Sequence, residues 1–178
     1  MAQQGKLDQA TAHFSRALEL KPGFAEVYSN LGNVFEQQGK MDKAIAHYYK
    51  ALEIKPNHAE AHNNLGVLLA KQGKLKEARR HYSEALRLNP DFAETHNNLA
   101  VTLVELEEIE AAIPHYAKAL DLQPDYAEAH NNLGNALSEQ GKLKEAVASF
   151  TKALEIRPNS PEAQNNCRGC PGAPGKAQ

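Results

Sequence analysis

The chain has 178 residues, with 20 Lys and Arg against 22 Asp and Glu; the net charge of -2 argues against the basic surface of a nucleic-acid binder. Two cysteines cannot staple a secreted disulfide scaffold, and no apolar run approaches the roughly 18 residues of a membrane span. Trp is absent and aromatics make up 6%, too little large-ring mass for one central core of this size.

Self-similarity organises everything else. Pro22, Pro56, Pro90, Pro124 and Pro158 are spaced by 34 residues, and Ala10, Ala44, Ala78, Ala112 and Ala146 keep the same step. With the prolines at position 32 of each repeat, the elements follow in chain order. Residues 1–24 supply positions 11 to 34, a second helix without its first. Residues 25–58, 59–92, 93–126 and 127–160 are four full repeats, residues 161–168 begin a further first helix, and residues 169–178 read as a disordered Gly- and Pro-rich tail. Each full repeat carries two helical stripes. Positions 4, 7, 8 and 11 give Tyr28, Leu31, Gly32 and Phe35, then His62, Leu65, Gly66 and Leu69; positions 20, 24, 27 and 28 give Ala44, Tyr48, Ala51 and Leu52.

Helix ends are marked too. Asn57, Asp91, Asp125 and Asn159 follow the prolines as expected N-caps, each with Glu three residues on (Glu60, Glu94, Glu128, Glu162), the spacing of a capping box. Gly39, Gly73 and Gly141 suit the left-handed residue that ends a first helix, and proline cannot continue the second. The repeat 93–126 diverges: Ala100 and Glu107 stand where the others have Gly. A left-handed Glu costs on the order of 1 kcal/mol, so a rebuilt turn is expected there. Pro114 falls just past the first turn of its helix, where a slight kink is expected without breakage.

The period and the order aromatic, Leu, Gly, aromatic, Ala, aromatic, Ala, Pro resemble the tetratricopeptide repeat (TPR), over residues 1 to about 166. The departures are His at 62, 96 and 130 and Leu at 69, 103 and 137. The resemblance implies an all-α fold, a right-handed α-solenoid of antiparallel helix pairs, whose first helices line a concave face that binds peptides. On the stripe opposite the core, positions 2, 5, 6, 9 and 13, Asn recurs: Asn30 and Asn33, Asn63 and Asn64, Asn97 and Asn98, and Asn131, Asn132 and Asn135. Asn is a mediocre helix former, and its amide can pair with a peptide's N–H and C=O without reading side chains. The position-6 column is similar to the asparagine ladder of the O-GlcNAc transferase repeat superhelix. A second reading has these residues packing between repeats. The carboxylate clamp of heat-shock co-chaperones needs Lys and Arg where this chain holds Glu, Ser and Asn, so that mode is not expected. The Glu column at position 2 is assigned to the capping boxes rather than to a basic ligand.

Seven of the eight histidines fall in two columns, His62, His96 and His130 at position 4 and His13, His47, His81 and His115 at position 23. Equivalent residues of neighbouring repeats are roughly 10 Å apart, too far to share a metal ion, so aromatic substitutes and solvated residues are the expected roles. Cys167 and Cys170 lack the partners of a redox or zinc site and read as tail chemistry; Glu105, Glu107, Glu108 and Glu110 read as a solvated turn. No phosphate loop, nucleophile elbow or metal motif occurs, so neither catalysis nor a cofactor is expected. The expected protein is a soluble cytoplasmic scaffold, lacking a signal sequence, that binds an extended protein or peptide, with no nucleic-acid or membrane partner. Two alternatives stay open: the recruiting or assembly arm of a larger enzyme such as a glycosyltransferase, and self-association through the uncapped end repeats.

Overall fold

Helical stripes that bury one face on a partner should yield paired helices, and they do. The computed structural model describes residues 2–169. Its helices are α1 (Ala2–Leu20), α2 (Ala25–Gln37), α3 (Met41–Ile54), α4 (Ala59–Lys71), α5 (Leu75–Leu88), α6 (Ala93–Glu105), α7 (Ile109–Leu122), α8 (Ala127–Glu139), α9 (Leu143–Ile156) and α10 (Pro161–Gly169). No strand occurs among the described residues. Of the predicted tail, residues 169–178, Gly169 is the last residue of α10 and residues 170–178 lie outside the described residues. The chain divides into two compact units, the first ending at Pro90 and the second beginning at Asp91. In the first, α2 pairs with α3 and α4 with α5, while α1 covers α2 and α3 packs on α4. In the second, α6 pairs with α7 and α8 with α9; α7 packs on α8, and α10 covers α9.

Each pair closes around one ring. Tyr48, Tyr82, Tyr116 and Phe150 are buried, flanked on their own helices by buried alanines such as Ala78 and Ala85. The facing residue of the first helix is Gly32, Gly66 or Gly134, and the approach is so close that a Cβ on Gly66 would lie 2.7 Å from Tyr82 Cε1. In the divergent repeat Ala100 takes this place, fully buried, so the spacing there admits a methyl group.

The first helices end in Schellman turns. In α4, Lys74 N–H donates to Leu69 O at 2.9 Å and Gly73 N–H to Ala70 O at 2.8 Å, with Gly73 at φ +73°. The expected rebuilding at Glu107 does not occur. Glu107 takes φ +64° and forms the same turn, with Glu108 N–H on Leu103 O at 2.8 Å and Glu107 N–H on Val104 O at 2.9 Å. Two backbone hydrogen bonds outweigh the left-handed strain. The second helices end on an extended residue, Lys55, Asn89, Gln123 or Arg157, as the following proline requires. Helix α7 continues through Pro114.

The expected capping boxes are not formed. The N-caps of α2, α4, α6 and α8 are Phe24, His58, Phe92 and Tyr126, none with a side-chain cap bond. In α4, α6 and α8 the proline and the following Asn or Asp turn before the helix begins, so each helix starts one residue later than expected. The Glu then sits second in the helix, too early to reach back, and contributes through the helix dipole. The exception is α10, where Ser160 Oγ accepts from Ala163 N–H at 3.4 Å. At the other end, α1 runs through Gly5, where the repeat pattern marks a turn.

Candidate functional site

The asparagine stripe divides on folding. At position 5 the chain turns inward: Ser29, Asn63, Asn97 and Asn131 are all buried. At position 6, Asn30 is exposed and Asn64, Asn98 and Asn132 are half-buried; Asn33 and Asn135, at position 9, are half-buried too. A five-position stripe spans too much of the helix circumference to stay wholly outside.

Several of these amides meet across adjacent repeats. In the first unit Asn64 Nδ2 donates to Asn33 Oδ1 at 2.9 Å, and the Tyr48 hydroxyl donates to the same oxygen at 2.6 Å. Asn63 Nδ2 donates to Asn64 Oδ1 at 3.2 Å. In the second unit Asn132 Nδ2 donates to Asn97 Oδ1 at 3.3 Å, and one repeat on Asn166 Nδ2 donates to Asn131 Oδ1 at 3.1 Å. Asn131 in turn donates to Glu162 at 3.0 Å. Position 6 thus reaches back to position 5 of the preceding repeat; where that residue is Ser29, it reaches Asn33 instead. Asn30 and Asn135 make no hydrogen bond with another described residue, and Asn132 Oδ1 accepts none.

The two units differ at the neighbouring positions. In the first, Lys71 Nζ pairs with Glu36 at 3.0 Å beside the Tyr48 hydroxyl. Burial, and next the Glu36 carboxylate, push the Tyr48 phenol well above its ordinary range. In the second unit a cavity of about 410 Å³ opens at this level, lined by Val101, Val104 and Ala136, by Tyr116, by Asn132, Asn135 and Ser138, and by Glu105 and Glu139. Sequence reasoning placed Glu105, Val101 and Glu139 on the stripe but missed Val104, Ser138 and Tyr116. Position 12 lies one turn from position 9 and was the available signal.

The histidine columns also meet, within a repeat rather than between repeats. His62 Nδ1 lies 2.9 Å from His81 Nδ1, and His96 Nδ1 lies 3.0 Å from His115 Nδ1. His62 Nε2 donates to the Pro56 carbonyl at 2.9 Å, and His130 Nε2 to Pro124 at 3.0 Å. The position-4 imidazole is therefore a latch onto the preceding helix end, a role beyond that of an aromatic substitute. With its proton on Nε2, His62 Nδ1 must accept from His81 Nδ1–H. Burial, then His62 and Arg80, push His81 down to about 4, and His115 is pushed down by burial and His96. Among the described residues no third ligand joins either pair. Cys167, within the predicted helix 161–168, is buried in α10 against Leu137, Ala146 and Phe150, a core position rather than tail chemistry; Cys170 lies outside the described residues.

These repeated helix pairs, closed by a small residue facing a ring and ended by a left-handed turn, define an all-α helical-repeat protein. The tetratricopeptide repeat model matches residues 23–91 and 91–159, and a related TPR model matches residues 2–39, so the chain belongs to the tetratricopeptide repeat family. No curated protein matches it significantly. Among solved structures it is similar to YrrB, described as a TPR protein with an unusual peptide-binding site, at 29% identity over 86% of this chain and 79% of that one, TM-score 0.78. MamA matches at 26% identity over 88% and 92% of the two chains, TM-score 0.79. PilF of Pseudomonas aeruginosa, at 22% identity, TM-score 0.84 and coverage of 94% and 77%, shares the fold. No helix among the described residues is long and apolar enough to cross a membrane.

Proposed function

We propose that this TPR chain is a protein-interaction scaffold that holds an extended segment of a partner along the face of its first helices and carries out no chemistry itself. The reading rests on amide groups with capacity to spare on that face: Asn30 and Asn135 have no partner among the described residues, and Asn132 keeps its side-chain oxygen free beside a cavity of about 410 Å³. An amide can receive a peptide N–H and donate to a peptide C=O, giving binding that tolerates many sequences. The description of YrrB as peptide-binding supports the same reading.

The bonds from Asn64 to Asn33 and from Asn132 to Asn97 favour a second role for the column, fastening one repeat to the next. The two roles are separable. Anisotropy titration of a fluorescent random-sequence peptide pool should show weaker binding by Asn30→Ala with Asn135→Ala, about fivefold for each hydrogen bond lost, at unchanged helicity. The triple Asn64→Ala, Asn98→Ala, Asn132→Ala should lose stability as well. If neither variant changes affinity, the amide groove is wrong and the column is a fastener alone.

A further inference from the structure

We propose that the cavity of the second unit takes a lysine or arginine side chain of the bound segment; this rests on the groove reading above and names what that groove selects. The cavity lining combines the apolar Val101, Val104 and Ala136 with two acidic residues, Glu105 and Glu139. No Lys or Arg lines the cavity, and neither carboxylate forms an ion pair with a described residue. Tyr116 is a second, independent sign of a missing partner. Its side chain is only 2% exposed, its phenol lines the cavity, and its hydroxyl makes no hydrogen bond with a described residue. The counterpart Tyr48 gives its proton to Asn33, but position 9 of this repeat is Val101, which accepts nothing. Burial, then Glu105, Glu128 and Glu139, hold the Tyr116 phenol above its ordinary range, so the charges surrounding it are negative.

A basic side chain fits this lining: its cationic head is a donor only, and both carboxylates and the Tyr116 oxygen can accept from it. Its methylene stem lies along Val101, Val104 and Ala136 while its head reaches the carboxylates at the rim. The first unit holds an internal example. There position 13 is Lys71, and its ammonium sits 3.0 Å from Glu36 at position 12 of the preceding repeat. In the second unit position 13 is Glu139 and position 12 is Val104, so the chain supplies no cation of its own there. An acidic side chain would meet two like charges at short range, and an aliphatic one would leave the carboxylates unpaired.

The test uses three fluorescent peptides of alanine and serine differing at one central residue: lysine, norleucine or glutamate. At low salt the lysine peptide should bind about fivefold more tightly than the norleucine peptide, the glutamate peptide most weakly, with the lysine preference shrinking at high salt. The double variant Glu105→Gln, Glu139→Gln should erase the lysine preference and keep norleucine affinity. Glu107→Gln with Glu110→Gln, which removes the same charge from exposed positions outside the cavity, should leave the preference intact. Equal binding of lysine and norleucine peptides, or a preference that survives the first variant or falls equally in the second, overturns the proposal and leaves the groove standing. Failure of all three peptides and of the random pool to bind removes both.

Discussion

The two units are built from one repeat, yet they treat the same face differently. In the first, the polar groups at positions 9 and 12 are satisfied internally, although Asn30 at position 6 is not: Asn33 accepts from both Asn64 and Tyr48, and Lys71 neutralises Glu36. In the second, Val101 and Val104 replace Asn33 and Glu36, Glu139 replaces Lys71, and Tyr116 and two carboxylates are left facing a cavity. The helices and the Schellman turns are the same in both. A handful of substitutions on positions 9, 12 and 13 therefore converts a self-paired surface into an unsatisfied one without altering the fold, which is how one scaffold acquires different partners.

The largest difference to probe is in the core. Gly66→Ala would press a methyl group onto Tyr82 and should cost about 1–3 kcal/mol by urea unfolding. Ala100→Gly, in the repeat that already admits the methyl, should cost less, about 1 kcal/mol, through helix propensity and a small void. Equal costs would mean that the two interhelical spacings do not differ.

A pH change should act next. The neutral imidazole is favoured in the fold: His81 is pushed from 6.5 down to about 4, and His115 is lowered as well. Below about 6.5 the unfolded chain binds protons that the folded chain refuses, so stability is full above that pH and falls as pH drops toward 4. A loss on the order of 1 kcal/mol between pH 7 and pH 5 is expected from the His81 pair, with the His115 pair adding in the same direction, read as a lower urea midpoint. His81→Leu together with His115→Leu should flatten the profile; an unchanged slope would show that the pairs do not carry it.

These pairs also mark where sequence reading stops. The period, the two apolar faces and the turn glycines follow from local rules, since each depends on residues within one helix or one turn. Position 4 meets position 23 only after the helices fold back on each other, so columns compared between repeats looked too distant to interact. The N-caps slipped for a related reason. Asn57 and Glu60 have capping-box spacing, but whether Pro56–Asn57 turns before the helix is decided by packing beyond the motif. On the candidate site, Asn30, Asn33 and Asn135 were readable as surface polar residues. The burial of Asn63, Asn97 and Asn131 was not, because a residue on the flank of a helix faces water or a neighbour depending on where the next repeat sits.

The left-handed turn gives a smaller, signed effect. Glu107→Gly should stabilise the second unit by about 1 kcal/mol, because φ +64° is strained for Glu and free for Gly. Gly73→Ala should lose a similar amount in the first unit, where φ is +73°. Gly73 has open space around it, so the loss would report backbone strain alone. A Glu107→Gly chain no more stable than wild type would mean that Glu107 is held by contacts that glycine cannot make.

The smallest expected change in stability carries the sharpest test of the contrast between the faces. Lys71→Glu removes the ion pair with Glu36 and sets two carboxylates together in the first unit, at positions 12 and 13 of adjacent repeats, where the acidic residues of the second, Glu105 and Glu139, are both at position 13. Both partners of the pair are well solvated, with side chains 53% and 32% exposed, so the cost should stay within about 1 kcal/mol. Binding should respond more strongly than stability. The lysine peptide should gain affinity, and the gain should survive Glu105→Gln with Glu139→Gln, because the new acidic patch lies in the other unit. If Lys71→Glu leaves the lysine peptide unaffected, two carboxylates at these positions are not sufficient, and selection in the second unit must depend on Val101 and Val104 as the wall that receives the aliphatic stem.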